Sequence, residues 1–296
     1  MLQPLGHERV VQFPHPLTDR EYRKVAKLVD GQPNVTLRAY GLKFTDLEFL
    51  RFFPEVRRFQ ADYMSRLESM DGLRHLRDDL ESLVLGETKT ARQFSLTFLR
   101  GFPHLRRLYL EKHTKDIEAV GELAGLEDLT LRSITLSDLS VLLPLENLLS
   151  LDLKLGGTRD LSLLPQIGRL RYLELWQIRG LDDLGPVGEA VTLQHLFLQS
   201  LPRVGLLPDF SSLTRLRRVV LDNMKGVTDL APLAAAPALV QLHVIDMRHF
   251  TVEQLECLAD HPTLREATFG LGSLKRNAAA QELVGVPTVT TPFEFV

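Results

Sequence analysis

A chain of 296 residues with 44% hydrophobic and 25% charged residues and a formal net charge of −3 has the make-up of a folded protein. It carries no global pull toward nucleic acid or anionic membrane. No apolar run reaches the roughly 18 residues of a membrane span, the start MLQPLGHERV lacks an apolar signal region, and a lone Cys257 excludes an intrachain disulfide. A cytoplasmic address is therefore expected.

The N-terminal segment, residues 1–33, reads as a cap of one strand and one helix. ERVVQF (8–13) alternates like a short strand, and Val11 and Phe13 stand 24 residues before Val35 and Leu37, which suggests a degenerate first coil. Thr18 and Glu21 form a T-x-x-E capping box. Tyr22, Val25, Ala26 and Val29 then make one apolar stripe, and Gly31 and Pro33 stop the helix. Arg20, Arg23, Lys24 and Lys27 are read as its solvated face.

Repeats fill residues 34–272, in about ten or eleven coils. NVTLRA (34–39), VRRFQA (56–61), LESLVL (80–85) and LRRLYL (105–110) are unevenly spaced. LEDLTL (126–131), LLSLDL (148–153), LRYLEL (170–175), LQHLFL (193–198), LRRVVL (216–221) and LVQLHV (239–244) follow at 22, 22, 23, 23 and 23 residues, each L-x-x-L-x-L or a close variant. LREATF (264–269) is a weaker last copy. The extra residues of the early copies are expected to form short α-helices on the return side, with 3₁₀ or extended turns in the 126–244 block.

Nine residues before the first position of most strands lies a second apolar column: Leu47, Leu96, Ile117, Leu139, Leu161, Leu184, Leu207, Leu230 and Leu255. Asp46, Asp116, Asp138, Asp160, Asp183 and Asp229 precede several of them. A cation-collecting ladder is one reading; an N-cap or Asx-turn that satisfies free backbone N–H groups is the better one. Pro54, Pro103, Pro237 and Pro262 lie two residues ahead of a strand, where proline ends the return and favours extended chain. Leu274–Val284 has helical character, ends at Gly285 and leads into a polar, proline-containing segment, so residues 273–296 read as the C-terminal cap.

The L-x-x-L-x-L blocks followed by I/L-x-x-L, as in LTLRSITLSDLSVL, resemble the leucine-rich repeat family, and the middle block is closest to its short intracellular class. The resemblance covers roughly residues 35–270. It implies an α/β solenoid: a curved parallel β-sheet on the concave face, short helices or 3₁₀ turns on the convex face, and a concave surface that binds another macromolecule. One departure is systematic. Where the family places an asparagine after L-x-x-L-x-L-x-x, this chain has Met64, Thr88, His113, Ile134, Gly156, Ile178, Leu201, Met224, Met247 and Gly272. The turn must then be tied by main-chain bonds or water, while Ile, Leu and Met join the core.

Residues between the inward leucines should stand in three outward columns. They bring Tyr172, Glu174 and Trp176 of one coil beside His195 and Phe197 of the next. Rings of adjacent strands, about 4.8 Å apart, can touch. Val220 and Ile245 extend an apolar patch, and Arg132, Asp152 and Lys154 border it. Exposed aromatic clusters are enriched at interface hot spots; cross-strand packing, or cover by a loop, is the plainer alternative. A mixed-charge rim suits a protein partner. Nucleic acid fits poorly, since Arg38, Arg58, Arg107, Arg132, Lys154 and Arg218 alternate with Asp62, Glu111, Asp128, Asp152, Glu174 and Asp222, whereas phosphate wants an unbroken positive track.

Catalytic motifs are lacking: there is no P-loop, G-x-G-x-x-G, G-x-S-x-G or H-E-x-x-H. His243, Asp246 and His249 have three-residue spacing but straddle a strand and a turn, which leaves surface histidines as the better account of them than a metal site. Glu174 and His195 have no nucleophile to activate, and Cys257 reads as a small buried hydrophobe. The expectation is a monomeric, non-catalytic protein-binding module, an adaptor, inhibitor or immunity-type protein, with no cofactor or metal and no membrane or nucleic-acid partner. A homo-oligomer and a metal-dependent enzyme are the alternatives.

Overall fold

The computed structural model describes residues 9–32, 34–88 and 93–296. Glu8 and Pro33, assigned above to the first strand and the helix stop, lie outside the described residues. Two compact units result, Met1–Arg132 and Ser133–Val296. The first holds β1 (Arg9–Phe13), α1 (Asp19–Val29), β2 (Val35–Tyr40), β3 (Arg58–Asp62), β4 (Ser82–Leu85), β5 (Arg107–Glu111) and β6 (Asp128–Arg132). The second holds β7 (Ser150–Lys154), β8 (Tyr172–Trp176), β9 (His195–Gln199), β10 (Arg218–Asp222), α2 (Ala231–Ala234), β11 (Gln241–Ile245), β12 (Glu266–Phe269) and α3 (Leu274–Val284). Within each unit every strand pairs in parallel with the one before it, and the twelve strands keep chain order. This is a repeat solenoid of strand and short return.

The leucine pattern sets the register. Leu173, Leu196, Val219 and Leu242 align, as do Leu175, Leu198, Leu221 and Val244, all without measurable exposure. Each such side chain withdrawn from water contributes about 2 kcal/mol. One-residue slips would turn every leucine outward, so the register is strongly specified. The second column is buried too, from Leu47 to Leu255, with only Ile117 half-buried.

Two expectations are corrected. Val11 pairs with Leu37 and Phe13 with Ala39, an offset two residues longer than the expected 24. The helix α1 lengthens this coil, and a shift of two keeps inward residues inward. Its core is aromatic: Phe13 meets Tyr22 at 5.3 Å and Phe49 at 5.7 Å. The early returns are also not α-helices. They are 3₁₀ helices at Glu48–Phe52, Asp71–His75, Leu96–Gly101 and Ile117–Glu122. Five or six residues close i→i+3 bonds, such as Leu50 N–H to Leu47 O at 3.0 Å, but are too few to repay the unpaired ends of an α-helix. Later returns are 3₁₀ or extended, save the single α-turn α2.

The acidic column works as turns. Asp46, Asp138, Asp160, Asp183 and Asp229 each accept a bond from the N–H two residues on, at 2.7–2.9 Å. Asp209 does the same without a place in the expected column. Asp116 instead takes a left-handed conformation with no side-chain cap. Both terminal helices begin and end as their sequences dictate: Thr18 and Glu21 close the capping box of α1, and Gly285 caps α3 at φ +75°.

Main-chain bonds tie the coils, and Asn223 Nδ2 adds a bond to Ser200 Oγ at 2.9 Å. Lys112, Leu155, Gln177, Ser200 and Asn223 take φ between +50° and +65°. Each sends its N–H to the last carbonyl of the next strand, at 2.8–3.0 Å. The following residue points inward, and Met64, Ile134, Ile178, Leu201, Met224 and Met247 are all buried. Side chains at this position still add ties: His113 Nε2 lies 3.1 Å from Gly86 O, and Met247 Sδ accepts from Met224 N–H at 3.1 Å. At Gly156 a Cβ would stand 2.1 Å from the Ile134 carbonyl oxygen, whereas at Gly205 the nearest atom is 4.0 Å away. Gly156→Ala should lower the unfolding free energy by about 2 kcal/mol and Gly205→Ala by under about 0.5 kcal/mol, read from urea denaturation midpoints.

Candidate functional site

The outward columns lie where the sequence places them. Ser150, Tyr172, His195, Arg218, Gln241 and Glu266 form the first row across β7 to β12. Asp152, Glu174, Phe197, Val220, His243 and Thr268 form the second. Lys154, Trp176, Gln199, Asp222 and Ile245 form the third.

The expected open cluster is only partly open. Tyr172 and Val220 are buried; Trp176, His195 and Phe197 are half-buried; Ile245 is exposed. Tyr172 lies edge-on to His195 at 4.8 Å, so this pair is cross-strand packing. Its hydroxyl donates to Glu174 Oε2 at 2.9 Å. Lys154 Nζ reaches the same oxygen at 3.0 Å and Asp152 Oδ2 at 3.0 Å. Burial raises the Asp152 carboxyl above its usual range. Burial also works against the Lys154 ammonium, but Asp152 and Glu174 outweigh it and hold its pKa above the ordinary value. Arg132 belongs to the other unit and pairs with Glu111 at 3.0 Å.

Other expected chemistry disperses. Asp246 Oδ1 accepts from Arg248 at 2.6 Å, His249 Nε2 lies 2.7 Å from Val227 O, and His243 Nε2 lies 3.1 Å from Arg218 Nη2. Among the described residues no cluster of three His, Cys, Asp or Glu side chains could hold a metal. Cys257 is half-buried, with its thiol pKa raised by burial. The cations Arg38, Arg58, Arg132 and Lys154 each face a carboxylate. No helix among the described residues is long and apolar enough to cross a membrane.

The C-terminal tail was not foreseen as part of this face. After α3 it doubles back over β12, β11, β10 and β9. Ala267 N–H donates to Pro287 O at 2.9 Å. Thr290 and Thr291 bond Glu266 Oε1, and Gln241 Nε2 donates to Thr291 O at 2.9 Å. Phe293 lies 5.1 Å from His195 and beneath the Arg218 guanidinium at 5.7 Å; Phe295 packs edge-on to Phe293 at 5.0 Å. The alternation in PFEFV carries that strand-like signal, but the prolines and threonines ahead of it favour a loop reading. A second exposed aromatic pair also escaped the columns: Tyr40 and Tyr63 of the first unit meet at 5.6 Å, with Arg38 over Tyr40.

Burial, then the nearby Arg218 charge, pushes His195 down to about 3 and His243 down to about 4. Both rings are neutral in the fold but take protons in the unfolded chain below about 6.5. Their contribution is therefore complete above that pH and lost as pH falls toward 4 and 3. His195→Gln should flatten the loss of stability between pH 7 and pH 4.5 by on the order of 2 kcal/mol, measured by urea denaturation. Lys154→Met, which strands two carboxylates on the sheet, should cost about 3 kcal/mol at pH 7.

A scan against protein-family models finds no match, and a search of curated proteins finds none. Among solved structures the chain is similar to an internalin (inlF) from Listeria monocytogenes str. 4b F2365, with a TM-score of 0.56 and 16% identity over 87% of this chain and 80% of that one. An internalin C2 (inlC2) of the same strain gives a TM-score of 0.40 and 21% identity over 67% of this chain and 74% of that one. At 16% identity the first likeness concerns the fold.

Proposed function

We propose that this leucine-rich repeat chain is a non-catalytic, monomeric protein-binding module whose partner docks on the outward sheet face of β7 to β11. The observation that carries the reading is the division of labour on that face. On β7 and β8, Lys154, Asp152, Glu174 and Tyr172 are committed to one another, while Trp176, Phe197 and Ile245 keep accessible apolar surface. Such groups recognise shape and apolar area rather than drive proton transfer: a tyrosine raised by burial and a histidine lowered by it are both poor at exchanging protons near neutral pH. Pairing of cations with carboxylates argues against a phosphate backbone as the partner, and the single cysteine suits a cytoplasmic setting. The effect on the partner is then masking or tethering, the work of an adaptor, inhibitor or immunity-type protein.

Capture from a lysate of the source organism tests this. Wild type is compared with a Trp176→Ala, Phe197→Ala, Ile245→Ala variant whose circular dichroism is unchanged. Loss of two hot-spot rings at about 2 kcal/mol each should weaken a true partner by well over about 30-fold. A protein retained equally by both would move the site off this face.

A further inference from the structure

The tail exceeds what capping requires. An array end needs cover for its last apolar coil and a block for its free edge strand. The helix α3 supplies the cover, with Arg276 bonding the carbonyls of Arg248 and Phe250. Pro287 supplies the block by taking the outward N–H of Ala267. Thr290 and Thr291 finish the edge by bonding Glu266 Oε1 on β12. The chain nevertheless continues over β11, β10 and β9, whose edges are already paired.

What it meets there is a set of side chains arranged to hold extended backbone. Gln194, itself buried, accepts from Val296 N–H at 2.8 Å and donates to Val296 O at 2.6 Å. Gln241, also buried, donates to Thr291 O, and Arg217 reaches Glu294 O at 3.4 Å. Between these, burial alternates: Phe293 and Phe295 are half-buried, while Pro292, Glu294 and Val296 are exposed. Main-chain capture with pockets for alternate side chains is how a folded domain takes a strand-like peptide. The tail also leaves the site incomplete. His195 Nε2 and Arg218 Nε are buried with no hydrogen-bond partner among the described residues, and such atoms call for partners.

We propose that the first outward row of β9 to β11 is a peptide-binding site, occupied in cis by residues 290–296. Its external ligand is an extended protein segment that carries aromatic side chains two residues apart and displaces the tail. The proposal narrows the protein-binding reading above and rests on it.

The probe is a fluorescein-labelled peptide Thr-Thr-Pro-Phe-Glu-Phe-Val, titrated to millimolar concentration by anisotropy. It is offered to the full wild-type chain and to a Phe293→Ala, Phe295→Ala variant, both folded by circular dichroism. The variant should bind at least tenfold more tightly, because its own tail holds the site less well. Adding Gln194→Ala to the variant should cost at least tenfold, and a peptide with both phenylalanines replaced by alanine should not bind. Equal affinity for the two proteins overturns the tail as occupant. No binding to the variant, or binding indifferent to Gln194→Ala, overturns the peptide site. Either failure leaves lysate capture through Trp176, Phe197 and Ile245 to stand on its own measurement.

Discussion

Everything in this molecule hangs on one turn, repeated after most strands: a residue in the left-handed region whose N–H reaches the last carbonyl of the next strand. A left-handed leucine or glutamine costs on the order of 1 kcal/mol, and only Asn223 is a residue that tolerates the conformation well. The return is structural. One main-chain bond ties coil to coil, so no side chain is needed for it, and the next position is released to the core. Met224 and Met247 occupy what would otherwise be polar positions and are fully buried. Stability is thus moved from buried hydrogen-bonding side chains to apolar packing, and the tie no longer depends on any one residue type.

The same turn fixes the register, and the register builds the outward face. Because β7, β8, β9 and β10 end at the same tie, first-row residues align with first-row residues across the second unit. A chain whose coils slipped could not place Lys154 between Asp152 and Glu174, nor His195 against Tyr172. The charges that result are matched locally, often from one coil to its neighbour, as with Arg38 to Asp62 and Arg132 to Glu111. These pairs are half-buried. Their consequence is that cation and carboxylate offset each other on that face.

Period, register, caps and the acidic turns were legible because each is a local rule: leucine spacing, T-x-x-E, Asp before a leucine, Gly at a helix end. The return helices were misjudged because residue count alone does not say whether five residues close α or 3₁₀ bonds. The offset of β1 was missed by two because α1 lengthens a coil that carries no repeat motif of its own. Site burial was less legible. Tyr172 sits at an outward position by pattern, yet its own neighbour His195 covers one side of it. The tail was illegible for a different reason: its contacts join Val296 to Gln194 and Thr291 to Gln241 across long sequence separations, and no period links them.

An internal occupant has to be weak to be useful. A short tether gives the tail an effective concentration in the millimolar range, so an external segment that binds no better than the tail loses until it reaches such levels. Two features keep that barrier low. The tail meets β9 to β11 through side chains, and it leaves His195 Nε2 and Arg218 Nε without hydrogen-bond partners among the described residues. A ligand that retains the two rings and adds an acceptor over that pair gains a charge-assisted bond that the tail lacks, worth about 2 kcal/mol or roughly 30-fold. The tail therefore filters rather than closes the site: it turns away segments that match it only in their rings and yields to those that complete the polar floor beneath them.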